Sequence, residues 1–428
     1  MTRSSAGMVE SLQENRRIAL LCCLALLAVI LARTLGLPPI EDRRLIMDYD
    51  IFHIVGLMAQ EGILADAYHH ATLLAAQIRI TGSDIFLPWA YPPVYTPIVE
   101  GLAHLPPGLG YGQFMTVTLA VWLAVVRALA GQQAPWVILM VLPALLINAN
   151  TGQNGYLTGA LMGLACLLLL RSPRRAGLPL GAMVIKPHLA LGLGLLVLAH
   201  PAWRRDWRVA GGALAVAASL IGASLWLYGP EAWLAFRTGM AEAGALLRSG
   251  GHATYRMTSA YGMAQSLGLG PDLAMALHVA VVLSALALVV RAARLPHVPR
   301  AAVVAMACSA GLLVSPYSFD YDLTVLGVAL ATAAPTLLAR AGTREKSLLL
   351  ALSWLACGAG FVTANAAIAL MNAGLIAPRD SLPSFGALAL LGLLVLMARI
   401  LMRPAAGAAP RDSGDSRALP REAGPLPS

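Results

Sequence analysis

The chain has 428 residues, of which 58% are hydrophobic and only 12% charged, and its mean hydropathy is +0.71. Too little polar surface remains to coat a water-soluble globule, so the composition excludes a soluble enzyme and describes an all-α polytopic membrane protein. The net charge of +9 is no nucleic-acid footprint, because the arginines fall in short runs between apolar segments, at Arg16-Arg17, Arg171 to Arg175, Arg204 to Arg208 and Arg291 to Arg300, as cytoplasmic loops do.

The first apolar run, Ile18 to Leu37, has no small-x-small cleavage site and reads as an uncleaved anchor. Its flank Arg16-Arg17 puts the N-terminus in the cytoplasm, so residues 38–91 form an outer loop. Within that loop Met47-Asp48-Tyr49-Asp50-Ile51-Phe52-His53 sets two carboxylates, Asp48 and Asp50, beside hydrocarbon, where charge is costly unless it has a task. Ile51 to Ile63 and Ala71 to Ile80 have the spacing of short amphipathic helices, ended by Gly62 and Gly82, and are expected to lie along the membrane surface.

Further spans are expected at Val94 to Leu109, Tyr111 to Leu129, Trp136 to Asn148, Tyr156 to Leu170, Leu178 to Ala199, Val209 to Leu227, Leu273 to Val290, Ala301 to Val314, Leu323 to Leu338, Ser347 to Met371 and Phe385 to Met402. That gives a bundle of roughly ten to twelve transmembrane helices, several shorter than the ~20 residues of a full crossing. Ala176 to His200 has arginines on both sides and Lys186-Pro187 near its middle, which a simple span cannot accommodate. Proline removes a backbone donor and bends a helix, so two half-helices meeting near Lys186 are expected, with a kinked helix and a snorkelling lysine as the alternative. The five cysteines lie in apolar stretches and read as small hydrophobes. Residues 1–402 form one domain, and the Pro-, Gly- and Arg-rich tail 403–428 is expected to be disordered.

Four polar groups interrupt the apolar pattern. Asn148-Ala149-Asn150-Thr151-Gly152-Gln153-Asn154 is dense in amides that can bind sugar hydroxyls or phosphate oxygens, or simply form a turn. Ser315-Pro316-Tyr317-Ser318-Phe319-Asp320-Tyr321-Asp322 again brackets an aromatic with carboxylates, and Asp320, or else Asp322, is expected to cap the next helix. Tyr91-Pro92-Pro93 stiffens the start of a span. Between Gly251 and Leu267, among His252, Tyr255, Thr258, Ser259 and Tyr261, Arg256 can hold a phosphate by paired hydrogen bonds or sit at headgroup level.

Taken in order, Asp48-Tyr49-Asp50-Ile51-Phe52 with Gly62 and Ala67-Tyr68, Tyr91-Pro92-Pro93, Gly152-Gln153-Asn154, Gly181 with Ile185-Lys186-Pro187-His188, Met257-Thr258-Ser259 and Ser315-Pro316-Tyr317 with Asp320-Tyr321-Asp322 resemble glycosyltransferase family 87, the polyprenol-phosphate-mannose-dependent mannosyltransferase-like proteins of GT-C architecture. The resemblance runs from about Arg17 to Met402. It implies transfer of a hexose, mannose by the family's name, from a polyprenyl-phosphate sugar to a hydroxyl of a lipid or glycan acceptor at the outer face of the plasma membrane. On this chain the general base falls to Asp48, with Asp50 second. Lys186, His188, Arg256 and Tyr317 would bind the donor phosphate, and Gln153, Asn154, Tyr91 and Asp322 the substrate. Tyr317 stands where the family often has histidine, which shifts the proton chemistry onto the aspartate. No cofactor or nucleic-acid partner is expected, a divalent metal on the acidic pairs is the less favoured alternative, and no Gly-rich phosphate loop is present. The alternative is a transporter or flippase for a lipid-linked sugar, which also needs broken helices but predicts repeated halves.

Overall fold

The computed structural model describes residues 2–36, 47–250, 254–375 and 382–404, with side chains from residue 13. Residues 38–46 of the first loop, His252 and nearly all of the tail expected to be disordered lie outside the described residues. In chain order the helices are α1 (Thr2–Gly36), α2 (Asp48–Gln60), α3 (His70–Thr81), α4 (Thr96–Ala103), α5 (Pro107–Ala130), α6 (Ala134–Met140), α7 (Leu142–Thr151), α8 (Gly155–Arg171) and α9 (Gly177–Ala182). They continue as α10 (Pro187–Ala199), α11 (Trp207–Arg248), α12 (Ala260–Ser266), α13 (Pro271–Ala293), α14 (Arg300–Gly311), α15 (Thr324–Arg340), α16 (Thr343–Asn372) and α17 (Gly386–Leu401).

The architecture is an all-helical membrane bundle. Among the described residues six helical stretches are long and apolar enough to cross a membrane, and four more apolar helices of 10–17 residues accompany them. α15 is the axis: Thr324 to Ala334 are buried without a break, against α5, α8 and α14. A helix apolar on every side belongs at the centre of such a bundle. Small residues let its neighbours close in. A Cβ on Gly192 of α10 would collide with the carbonyl of Ala307 in α14, so these two helices meet backbone to backbone. At the far end of α16 and α17, Arg403 forms a two-pronged ion pair with Glu345 while Arg340 donates to the Leu401 and Arg403 carbonyls.

Three expectations are corrected. Residues 94–109 are not a span: α4 has only eight residues and packs on α2, burying Val99 and Ala103 while Ile98 stays exposed. α2 does not lie on a surface, because Tyr49 to Gly56 are all buried and Phe52 is ringed by Tyr49, Trp89, Tyr91, Tyr95 and Phe114 at 5.5 to 6.3 Å between centroids. The span at Val209 is the first half of α11, which turns at Gly229 (φ 74°) before Pro230 and runs on to Arg248. The second half was hidden in the sequence by Glu231, Arg237, Glu242 and Arg248.

The stretch from Ala176 to His200 is broken where its proline predicts. α9 ends at Ala182, a 3-10 turn covers Met183–Ile185, and Lys186 is non-helical (φ −152°, ψ 68°) before α10 begins at Pro187. Proline disfavours the helical conformation of the residue before it, and here Lys186 leaves the helix at that point.

Candidate active site

Several chain segments, far apart in sequence, converge here. Asp48 is the first residue of α2 and follows Met47, whose backbone is extended (φ −110°, ψ 167°). Asp50, two residues on and fully buried, turns back to accept the Met47 N–H at 2.8 Å. That is the reach-back contact of a helix N-terminus, and it gives Asp50 an orienting task distinct from that of Asp48.

The α7–α8 loop supports Asp48 from one side. Gly152 closes α7 in the left-handed conformation (φ 73°), with its N–H 2.9 Å from the Asn148 carbonyl, and a Cβ there would stand 2.5 Å from Cβ of Tyr49. Only glycine meets both demands. Asn148 Oδ1 accepts the Gly155 N–H at 2.9 Å, and Arg33 of α1 donates Nε and a terminal nitrogen to Asn150 Oδ1 at 3.2 and 2.6 Å. The loop so held presents Gln153, whose Oε1 accepts from the Tyr91 hydroxyl at 2.9 Å. Asn154 is buried beside Tyr95.

Two ion pairs lie in the same neighbourhood. Residues 320–323 make a 3-10 turn ahead of α15, which places Asp320 and Asp322 on either side of Tyr321. Asp322 Oδ1 lies 2.5 Å from Lys186 Nζ, and the ammonium stands 4.7 Å from the Tyr321 ring centre and 5.8 Å from that of Tyr91. Asp320, expected to cap a helix, makes no capping bond and instead takes Arg256 through both oxygens, at 3.2 and 2.8 Å. The carboxylate is completely buried, so its charge is retained only with such a partner. A short antiparallel contact brings the pair together: Met257 bridges Phe319, Thr258 N–H donates to the Ser318 carbonyl at 2.8 Å, and the Ser259 hydroxyl donates to the Pro316 carbonyl at 2.6 Å.

Asp48 belongs to neither pair. Burial pushes its carboxyl up to about 6, with the charge of Arg256 pulling down, that of Asp320 pushing up, and the hydrogen-bonding side chains of Gln153 and Thr151 pulling down. For Arg256, burial alone would lower the pKa, but the charge and hydrogen bonds of Asp320 outweigh it and hold the guanidinium charged. Tyr317, half-buried and edge-on to Phe319 at 5.0 Å, is raised by burial and then by the negative charge of Asp48.

Asp48, Gln153, Tyr91, Arg256 and Tyr317 therefore form one electrostatic neighbourhood, which extends through Tyr91 and Tyr321 to Lys186 and Asp322. His188 adjoins Lys186 and Asp322, with Nε2 buried and without a hydrogen-bond partner among the described residues. The cation whose charge reaches Asp48 most strongly is Arg256, not Lys186. Sequence reasoning missed Tyr321, Tyr95 and Arg33; the first had a signal in the aromatic-carboxylate motif and the second in Tyr95-Thr96-Pro97, whereas Arg33 had none beyond its place at the end of the first span. Among the described residues no group of three or more His, Cys, Asp or Glu side chains is placed to hold a metal ion.

These contacts supply a carboxylate with a raised pKa next to buried cations, an arrangement able to remove a proton on one side and stabilise developing negative charge on the other. Comparison with curated proteins and with solved structures finds no match. The family model of glycosyltransferase family 87 matches residues 89–316, more than half of the chain, and covers Tyr91, Gln153, Lys186 and Arg256. The chain belongs to glycosyltransferase family 87 and is a membrane glycosyltransferase.

Proposed function

We propose that the protein moves a hexose, mannose foremost, from a polyprenyl-phosphate sugar to an acceptor hydroxyl at the outer face of the plasma membrane, with the N-terminus in the cytoplasm. The observation that carries this reading is the position of Asp48, outside both ion pairs yet next to Arg256, with its carboxyl at about 6. A base with that pKa is ionised at neutral pH while still basic enough to accept a proton as the new bond forms.

The reaction is a direct displacement. The acceptor oxygen bonds to the anomeric carbon, its proton passes to Asp48, and the carbon–oxygen bond to the phosphate breaks on the opposite face with inversion. The leaving phosphate gains charge as that bond lengthens. Lys186, with Arg256 and His188 nearby, stabilises it, and Tyr317 donates its phenolic hydrogen. Asp322 holds Lys186 at 2.5 Å before donor arrives, which keeps the ammonium extended and aimed. Gln153 and Tyr91, already hydrogen-bonded to each other, offer an amide and a phenol to the sugar hydroxyls, and Asn154 adds a second amide. Family membership supports this transfer chemistry over the transporter alternative.

The test is reconstitution of the purified protein into vesicles with radiolabelled polyprenyl-phosphate hexose and a crude membrane extract. Transfer of label with loss of donor supports the reading. Transbilayer movement of intact donor with no new glycoside sinks it.

A further inference from the structure

Ala67-Tyr68 is a sequence motif that takes no part in the displacement at Asp48. Tyr68 ends the 3-10 turn Leu64–Tyr68 between α2 and α3 and is buried. The second half of α11 backs it. Phe236 meets the Tyr68 ring edge to face at 5.6 Å, and Gly239 lies so close that a Cβ there would collide with the Tyr68 carbonyl. The ring is therefore held from behind, and the hydroxyl at its tip donates to the Tyr91 carbonyl at 3.0 Å.

Tyr91 passes that anchor on to Gln153. Its ring packs against Trp89 at 5.0 Å and Tyr95 at 4.9 Å, so a fixed main chain fixes the hydroxyl as well. The hydroxyl donates to Gln153 Oε1 at 2.9 Å, and the Asn154 N–H donates to the same oxygen at 3.2 Å. A backbone N–H can only donate, so the amide oxygen must face Asn154 and Tyr91, and Nε2 is left to donate to Asp48. An amide nitrogen carries a second hydrogen, which stays available to a sugar hydroxyl.

We propose that Tyr68 is a positioning residue that acts on Asp48 through Tyr91 and Gln153: its hydroxyl holds the Tyr91 main chain and so keeps the amide nitrogen of Gln153 turned to the carboxylate. The effect on transfer rests on the reading of Asp48 as base, whereas the relay itself does not. A donor aimed at a carboxylate favours its charged form. Without the Tyr68 hydroxyl the Tyr91 segment relaxes, the Gln153 amide keeps only its longer contact with Asn154, and protonation of Asp48 moves to higher pH. Arg256, Asp320, Tyr91, Tyr317 and Tyr321 also face Asp48, and Tyr68→Phe alters the charge of none of them.

The experiment follows the Asp48 carboxyl directly, as an infrared carboxyl band titrated with pH in the reconstituted full chain, with Asp48→Asn identifying the band. Tyr68→Phe keeps the ring on Phe236 and Gly239 and removes only the hydroxyl. It should raise the midpoint by about half a pH unit or more, and it should add nothing in a Gln153→Ala background, because the path ends at that amide. Gly239→Ala keeps the hydroxyl but displaces Tyr68 from behind, and it should move the midpoint the same way. In transfer assays with labelled polyprenyl-phosphate hexose, Tyr68→Phe should lower kcat several-fold with the donor KM unchanged, and the acid limb of kcat/KM should move with the band. An unmoved midpoint in folded Tyr68→Phe, or a shift that adds in full to that of Gln153→Ala, overturns the proposal; where Tyr68→Phe does not fold, Gly239→Ala decides in the same way. A moved midpoint with an unmoved acid limb upholds the relay and sinks only the reading of Asp48 as base.

Discussion

Lys186 and Asp322 form an ion pair at 2.5 Å that is buried beside the ring of Tyr321. Both residues are placed by backbone breaks, the lysine by the proline after it and the aspartate by the 3-10 turn before α15. Removing one partner leaves a buried charge uncompensated, at a cost of about 3–5 kcal/mol. Lys186→Ala should therefore lower the melting temperature in detergent, and adding Asp322→Asn should restore much of it. Activity should behave differently. Both variants should lose transfer by on the order of a hundredfold or more, because the cation proposed for the donor phosphate is gone. Recovery of activity in the double variant would show that the pair is structural only.

The pH profile follows from Asp48. A base acts when deprotonated, and burial sets this carboxyl at about 6, so kcat/KM should fall as pH drops through about 6 and level off above it. Arg256 pulls that value down. Arg256→Gln should shift the acid limb to higher pH, whereas Arg256→Lys keeps the charge and should leave the limb nearly in place while losing the two-pronged hold on Asp320. An acid limb near 4 in the unaltered protein would contradict the assignment.

Gly152→Ala probes the loop. The left-handed backbone and the 2.5 Å approach to Tyr49 both oppose a methyl group, and the strain should be about 1–3 kcal/mol. Part of it is relieved by pushing Tyr49 and with it Asp48, so kcat should fall more than the stability loss accounts for. A folded variant with unaltered kcat would show that the loop does not position the base.

Asp50→Asn separates the two aspartates. Its side chain serves the Met47 N–H, and an amide oxygen can accept the same bond. Transfer should stay within several-fold of the original, measured at matched protein level. A loss as large as that of Asp48→Asn would move the base to Asp50.

The main helices were legible because lipid and protein interior ask for the same apolar runs: α5, α8, α13, α15, α16 and α17 all coincide with hydrophobic segments. The break at Lys186 was legible as well, since proline and the flanking arginines left no room for a plain span. α4 was misread for the same reason that others were read well, because hydropathy cannot tell a short helix buried in protein from one bathed in lipid. The pairing of Arg256 with Asp320, 64 residues apart, depends on the clasp between Met257 and Phe319 and leaves no local trace. Asp50 did leave one: a carboxylate in the first turn of a helix is a common reach-back acceptor, and its spacing from Met47 signals that use.

The central claim is that Asp48 removes the acceptor proton. Its direct test is single-turnover transfer from a labelled polyprenyl-phosphate hexose by the reconstituted protein and by Asp48→Asn, at equal protein level and with donor binding measured separately. The variant should bind donor as before and transfer it on the order of a hundredfold to ten-thousandfold more slowly. Transfer by Asp48→Asn at the original rate would contradict the account.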